Sequence, residues 1–243
     1  MSGTTPPPRL AARRLMRGCG KAVLATTMAE DGAPYASLVT VAFDQDGSPI
    51  LLLSTLADHT RNLGSDARAA LLFDGTDGFP NPQEGPRLTV MGRIERSGNE
   101  RLRRRFLARH PGAALYAGFS DFATWRLAPE RAHLVGGFAR AVWIAGGPTL
   151  GAAMASRMAE AEEDVLVRAN RDPGGLDLIA ARSLGRSERG WLMTGVDADG
   201  LDLRCGPAYA RVDFERPVGD GPQATRAIAD LAAKAGAQSD DRG

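Results

Sequence analysis

Between Ser54 and Arg61 the chain reads Ser-Thr-Leu-Ala-Asp-His-Thr-Arg, placing hydroxyls, a carboxylate, an imidazole and a guanidinium within one short stretch. The apolar run Ile50–Leu53 before it has the length of a strand. Asp58 is expected to cap a helix that carries His59, Thr60 and Arg61. A helix start offers free N–H groups and a positive dipole end, and with hydroxyls and a cation these are the parts of a phosphate site. The same residues also suit a plain crossover helix with a solvated face, and structural context decides between the two.

Other chemistries find fewer parts. Lys21 and Lys234 are the only lysines, so a phosphate clamp has to use Arg, His, hydroxyls or backbone. Cys19 and Cys205 have neither metal spacing nor a disulfide framework and read as small apolar residues in a reducing cytosol. Asp197, Asp199 and Asp202 fall short of a calcium loop and read as turn residues, so no metal site is expected. His110 precedes a proline and reads as structural. His133 lies in a strand pattern, as a packed or edge residue, with a ligand contact left open. No Ser-His-Asp order, zinc spacing or P-loop is present.

The chain that must position these residues has 243 of them, 43% hydrophobic and 24% charged, enough for a buried core. A net charge of +1 gives no reason to expect nucleic acid or an acidic membrane as partner. MSGTTPPPRL lacks the apolar core of a signal peptide and no run approaches a membrane span, so a soluble, cytoplasmic protein is expected.

Alternation and turn signals place strands at Ala22–Thr27, Ala33–Phe43, Ile50–Leu53, Arg68–Phe73, Pro86–Arg96, Phe122–Leu127 and Ala132–Phe138. Within the fifth, Arg87, Thr89 and Met91 face one way and Leu88 and Val90 the other. Helices are expected at Leu10–Met16 and Asn99–Arg109; the latter is basic and reads as a solvated face. Gly136-Gly137 marks a bulge or a close backbone approach. Beyond Gly146-Gly147-Pro148 come a helix (Thr149–Arg168), an apolar stretch open between helix and strand (Leu176–Ala181), a hairpin turning at Asp199-Gly200, a strand (Arg211–Phe214) and a closing helix (Gln223–Ala235). The fold class is α+β: an antiparallel barrel over about residues 20–145, then a smaller α+β unit. The expected organisation is a mobile tail (1–9), a barrel domain (10–147), a small C-terminal α+β domain (148–237) and a polar tail (238–243).

The ordered series YASLVTVAF, LLLSTLADHTRNL, DARAALLF, GPRLTVMGR and AHLVGGFARAVWI resembles the FMN-binding split-barrel proteins related to pyridoxamine 5'-phosphate oxidase, and most closely their haem-utilisation subgroup. The segments TGVDADGLDLR and ARVDFERPV resemble that subgroup's small C-terminal domain. The resemblance implies a homodimer binding FMN, with oxidoreductase activity toward an unidentified small molecule. It implies Ser37, Leu38 and Val39 along the flavin ring and Ser54 and Thr55 near the ribityl chain. His59, Thr60 and Arg61 would hold the phosphate, Arg87 and Thr89 would approach the flavin, and Arg140 would bind substrate or pair with a carboxylate across the dimer. It assigns no catalytic residue. His59 stands where the oxidases have lysine, Leu134 where they have an aromatic residue and Val142 where they have histidine, which argues against pyridoxamine phosphate oxidation itself. The alternatives are a haem-binding or haem-degrading protein, or a non-enzymatic flavin-binding module. For the haem alternative, Arg157 and Glu162 replace the subgroup's helix histidines, and no histidine follows His133.

Overall fold

The computed structural model describes residues 6–137 and 140–240, with side chains as far as residue 235. Phe138 and Ala139, at the end of an expected strand, and parts of both expected tails lie outside the described residues. The chain divides into two compact units, Met1–Thr149 and Leu150–Gly243.

The first unit is an antiparallel split barrel. Its elements run α1 (Pro8–Gly18), β1 (Lys21–Thr27), β2 (Pro34–Thr40), β3 (Ala42–Phe43), β4 (Pro49–Ser54), α2 (Asp58–Ser65), β5 (Arg68–Asp74), β6 (Arg87–Arg96), α3 (Glu100–Arg109), β7 (Phe122–Val135) and β8 (Ala141–Ala145). The strand order is β2-β1-β5-β6-β7-β4-β3, with β8 paired to the β7 segment that β4 leaves free. The expected tail ends early: α1 begins at Pro8, and Arg9 donates to the Gly147 and Ala145 carbonyls.

Strand alternation builds the core. Leu24, Leu71, Phe73, Leu88, Val90 and Leu127 are buried with Ala12 and Met16 of α1 against them. Each fully buried Leu or Phe contributes roughly 1.5–3 kcal/mol. Helix α3 is capped by the Asn99 side chain and buries Leu102 and Phe106 against Ile50 and Leu52.

Two expectations are corrected here. The stretches 122–127 and 132–138 belong to one strand, β7, followed by a turn at Gly136-Gly137. The pairing of β7 with β6 shifts register at Met91/Gly92, leaving Glu130 extra on β7. That irregularity flips the alternation: Ala123 and Leu127 point inward before it, Ala132 and Leu134 after it. The Gly136-Gly137 turn does make a close approach. Gly137 has φ +107°, and a Cβ there would lie 2.7 Å from the Glu84 carbonyl oxygen. The second correction is at α2: Ala57 is the N-cap and Asp58 the first helical residue, with no side-chain capping bond.

The second unit packs α4 (Ala152–Ala169), α5 (Pro173–Leu184) and α6 (Gly221–Asp240) with a sheet ordered β11-β10-β9, formed by β9 (Leu192–Asp197), β10 (Gly200–Cys205) and β11 (Ala208–Asp213). Trp191, Ile179, Met158 and Phe214 lie in its core. The open stretch Leu176–Ala181 is helical, within α5. Asp197 pairs with Gly200, so the hairpin turns at Ala198-Asp199, one residue earlier than expected. Among the described residues, no helix is long and apolar enough to cross a membrane.

Candidate functional site

The residues expected to bind a cofactor fall on two sides of the barrel sheet. Helix α2 lies on the inner side of the edge strand β2, where Asn62 donates to the Thr26 hydroxyl and His59 Nδ1 is 3.1 Å from Ser37 Oγ. Ser37 and His59 are therefore brought together, while Val39 is a core residue. Thr60 is buried, and its hydroxyl has no hydrogen-bond partner among the described residues.

The charges around α2 are partly spent. Arg61 donates to the Leu56 carbonyl and pairs with the Asp58 carboxylate. Asp58 thus places a negative charge at the positive end of the helix, where a phosphate would sit. Ser54 Oγ donates to Asp121 Oδ2 (2.6 Å) and accepts from Leu56 N–H (3.1 Å); Thr55 N–H donates to the Asp121 carbonyl.

Leu38, Thr89 and Arg87 lie on the outer face. Leu38 pairs with Val23, Val23 with Leu72, Leu72 with Thr89, Thr89 with His133 and His133 with Trp143. Directly opposed residues on one face have Cβ atoms about 4.5–5.5 Å apart, so these six form one row across β2, β1, β5, β6, β7 and β8. The row is open to solvent: Leu38 is 69% and Trp143 57% exposed, and Val23 and Leu72 are also exposed. On one side of it runs Ala36–Ala25–Ala70–Met91–Arg131–Ala145; on the other, Asp74–Arg87–Val135–Ala141. The Arg87 guanidinium donates to the Gln83 and Gly85 carbonyls. Arg140, in the β7–β8 turn, is exposed at that rim, four strands from the Ser37 strand in the sheet order.

His133 and Trp143 are stacked, with ring centroids 4.5 Å apart and planes within 20°, and the Arg131 guanidinium lies 5.5 Å from the Trp143 ring. Trp143 thus stands on the outer face, while Trp125 packs against the core. Sequence reading names His133 but misses the row, whose members are single residues on six strands. Among the described residues no group of three or more His, Cys, Asp or Glu is placed to hold a metal ion.

The other two histidines are engaged. His110 Nε2 lies 2.7 Å from the Val41 carbonyl oxygen and its ring packs on Phe106. Burial lowers the His110 pKa from its ordinary 6.5; the bond to Val41 opposes this and Arg109 adds to it. Burial also lowers His59, against Asp58. Both contributions to stability are complete above the unfolded-state pKa and fall as pH drops through it, because the unfolded chain takes up protons first. The melting temperature should fall between pH 7 and pH 5, and His110→Gln should flatten that dependence. A slope unchanged in the variant would show that His110 titrates alike in both states.

A family model described as pyridoxamine 5'-phosphate oxidase matches residues 10–136. A protein of unknown function from Agrobacterium tumefaciens is 28% identical, with a TM-score of 0.77 over 93% of this chain and 98% of its own. A heme binding protein from Mycobacterium smegmatis is 30% identical, with a TM-score of 0.57 over 97% of this chain and 100% of its own. A chloroplastic heme oxygenase, HOZ, from Arabidopsis thaliana is 35% identical over 114 residues, 46% of this chain; the match spans 34% of that protein's length.

Proposed function

Because the chain belongs to the pyridoxamine 5'-phosphate oxidase family, with a heme binding protein and a heme oxygenase among the proteins it resembles, we propose that it binds haem on the outer face of its barrel as a homodimer. The observation that carries this reading is the open row from Leu38 to Trp143, an apolar and aromatic surface with an imidazole in it and arginines on both sides. The donor set suits an amphipathic tetrapyrrole. Leu38, Val23, Leu72 and Trp143 offer apolar contact. Arg131 and Arg87 offer charge-assisted bonds to carboxylates, and an imidazole is a haem-iron ligand. When bound, haem supplies the redox chemistry, while the protein binds and orients it. Exposed apolar patches of this kind mark interfaces, and a second copy of the same face completes the enclosure.

The test is titration of haem into the purified chain, with light scattering alongside. A saturable Soret band and a dimer at micromolar concentration are expected. Leu72→Glu, placing a charge in the middle of the row, should give a monomer with weakened haem uptake. A wild-type monomer, or no saturable band, would sink the proposal.

FMN is the second reading, favoured by the Ser37–His59 contact that joins the edge strand to α2. In this reading His59 and Thr60 meet the phosphate, Arg61 exchanges Asp58 for it, and the backbone of Ser37–Val39 lies along the ring. Ser54 and Thr55 flank the ribityl chain, Arg87 and Thr89 approach the flavin, and Arg140 meets the substrate of an oxidoreductase. Flavin absorption bands in the protein as purified would favour it over haem.

A further inference from the structure

We infer that His133 supplies the protein ligand to haem iron on the outer face, held in position by Trp143. This assignment rests on the haem reading above and adds to it the ligating residue.

Three observations converge on His133. The first is placement. The register shift between β6 and β7 turns residue 133 outward, opposite Thr89 on one side and Trp143 on the other. Without the extra residue Glu130, the phase set by Ala123 and Leu127 would carry position 133 into the core.

The second is availability. The chain has three histidines. His59 Nδ1 meets the Ser37 hydroxyl and His110 Nε2 meets the Val41 carbonyl. For His133, among the described residues, the ring's one recorded contact is the stack on Trp143 and neither nitrogen has a hydrogen-bond partner. A neutral imidazole carries one lone pair free for a metal, so an unpartnered imidazole on an open face is a ready donor.

The third is orientation. Side chains on a strand stand roughly perpendicular to the sheet. With one ring face covered by the near-parallel Trp143, the imidazole is left to meet whatever rests on the sheet through its edge. Metal-bound histidines are normally oriented by a hydrogen bond to the second nitrogen. Here the indole takes over that positioning.

Other soft donors fit less well. Cys19 donates its thiol to the Leu15 and Asp74 carbonyls, away from the row. Met91 is on the face one row over, beside Arg131, and is the donor that His133 must outcompete.

The experiment is haem titration of the full chain by absorbance and electron paramagnetic resonance, for wild type, His133→Ala, His133→Gln and Trp143→Leu. Circular dichroism confirms folding, and the glutamine variant keeps the strand filled if alanine does not fold. Wild type should give an imidazole-ligated spectrum. Both His133 variants should lose that signature and bind well over tenfold more weakly, and added free imidazole should restore the signature. Trp143→Leu should retain the signature with affinity lowered roughly tenfold, the size typical of losing an orienting partner. If wild type binds haem and the His133 variants give a superposable spectrum, the assignment is overturned and haem binding stands. If wild type takes up no haem, the haem reading falls and the assignment with it.

Discussion

Arg211→Met is expected to destabilise the C-terminal unit by about 3–5 kcal/mol, the cost of leaving a buried ion pair half occupied. The Arg211 side chain is 5% exposed and binds three carboxylates. Its Nη2 donates to Asp197 Oδ1 at 2.9 Å and its Nη1 to Asp197 Oδ2 at 3.0 Å, a bidentate pair. Nη1 also donates to Asp202 Oδ1 at 2.9 Å, and Nε to Asp213 Oδ1 at 3.2 Å. Tyr209 OH completes the cluster with a 2.7 Å bond to Asp202. Burial opposes the charge on Arg211, but Asp197 and Asp202 outweigh it and raise its pKa well above the ordinary value. Methionine fills much of the space and removes the charge, so buried Asp197 is left facing its neighbouring carboxylates. Against a total stability of roughly 5–15 kcal/mol for a domain, that loss is large. Urea unfolding followed through buried Trp191 would report it, since Trp191 is in the core of this unit. Asp197→Asn combined with Arg211→Met should recover part of the loss. A loss below about 1 kcal/mol would show that the carboxylates find water once the arginine is gone.

The aspartates of that cluster show what local sequence conveys and what it does not. Their spacing falls short of a calcium loop, but nothing local announces that Arg211, on the next strand, gathers Asp197 and Asp202. The same division runs through the barrel. The alternation of Arg87, Thr89 and Met91 with Leu88 and Val90 is written in the chain, and the structure buries Leu88 and Val90. Asn99 before an acidic first turn is a clear cap. Asp172-Pro173 could have settled α5, since Asp172 caps it and Pro173 opens it. The α2 start is misread by one residue because Asp58 resembles a cap while Ala57 holds that position. At the candidate sites, the Ser54–Arg61 motif is visible, but its partners Asp121 and Asp58 are not visible as partners until the chain folds. The outer row is harder still: Leu38, Val23, Leu72, Thr89, His133 and Trp143 become neighbours through strand register alone.

The register of β7 hangs on Gly92, and Gly92→Ala should cost at least the ~3 kcal/mol typical of severe overpacking and displace the outer face with it. A Cβ at Gly92 would lie 2.0 Å from the Ala128 carbonyl oxygen and 3.1 Å from the Pro129 Cα. Both are backbone atoms of the partner strand, so no side chain can swing aside. The position faces the register shift that gives β7 its extra residue. Two ways of relieving the clash are open. The strands can part, which breaks the ladder at its longest pairing, or β7 can slip, which exchanges its inward and outward residues. Either removes His133 from its place between Thr89 and Trp143. Haem uptake and dimerisation should therefore fall together in this variant, although Gly92 is not a member of the row. Gly64→Ala is the matched control: it lies in α2, has nothing within 4 Å of an added Cβ, and should be neutral or slightly stabilising. Near-ultraviolet circular dichroism from Trp125 and Trp143, with haem titration, would read both variants. A Gly92→Ala protein with wild-type melting and an intact Soret band would mean that β6 and β7 can separate locally, and that the alternation of β7 is held by its inward residues, Ala132 and Leu134, instead of by the glycine.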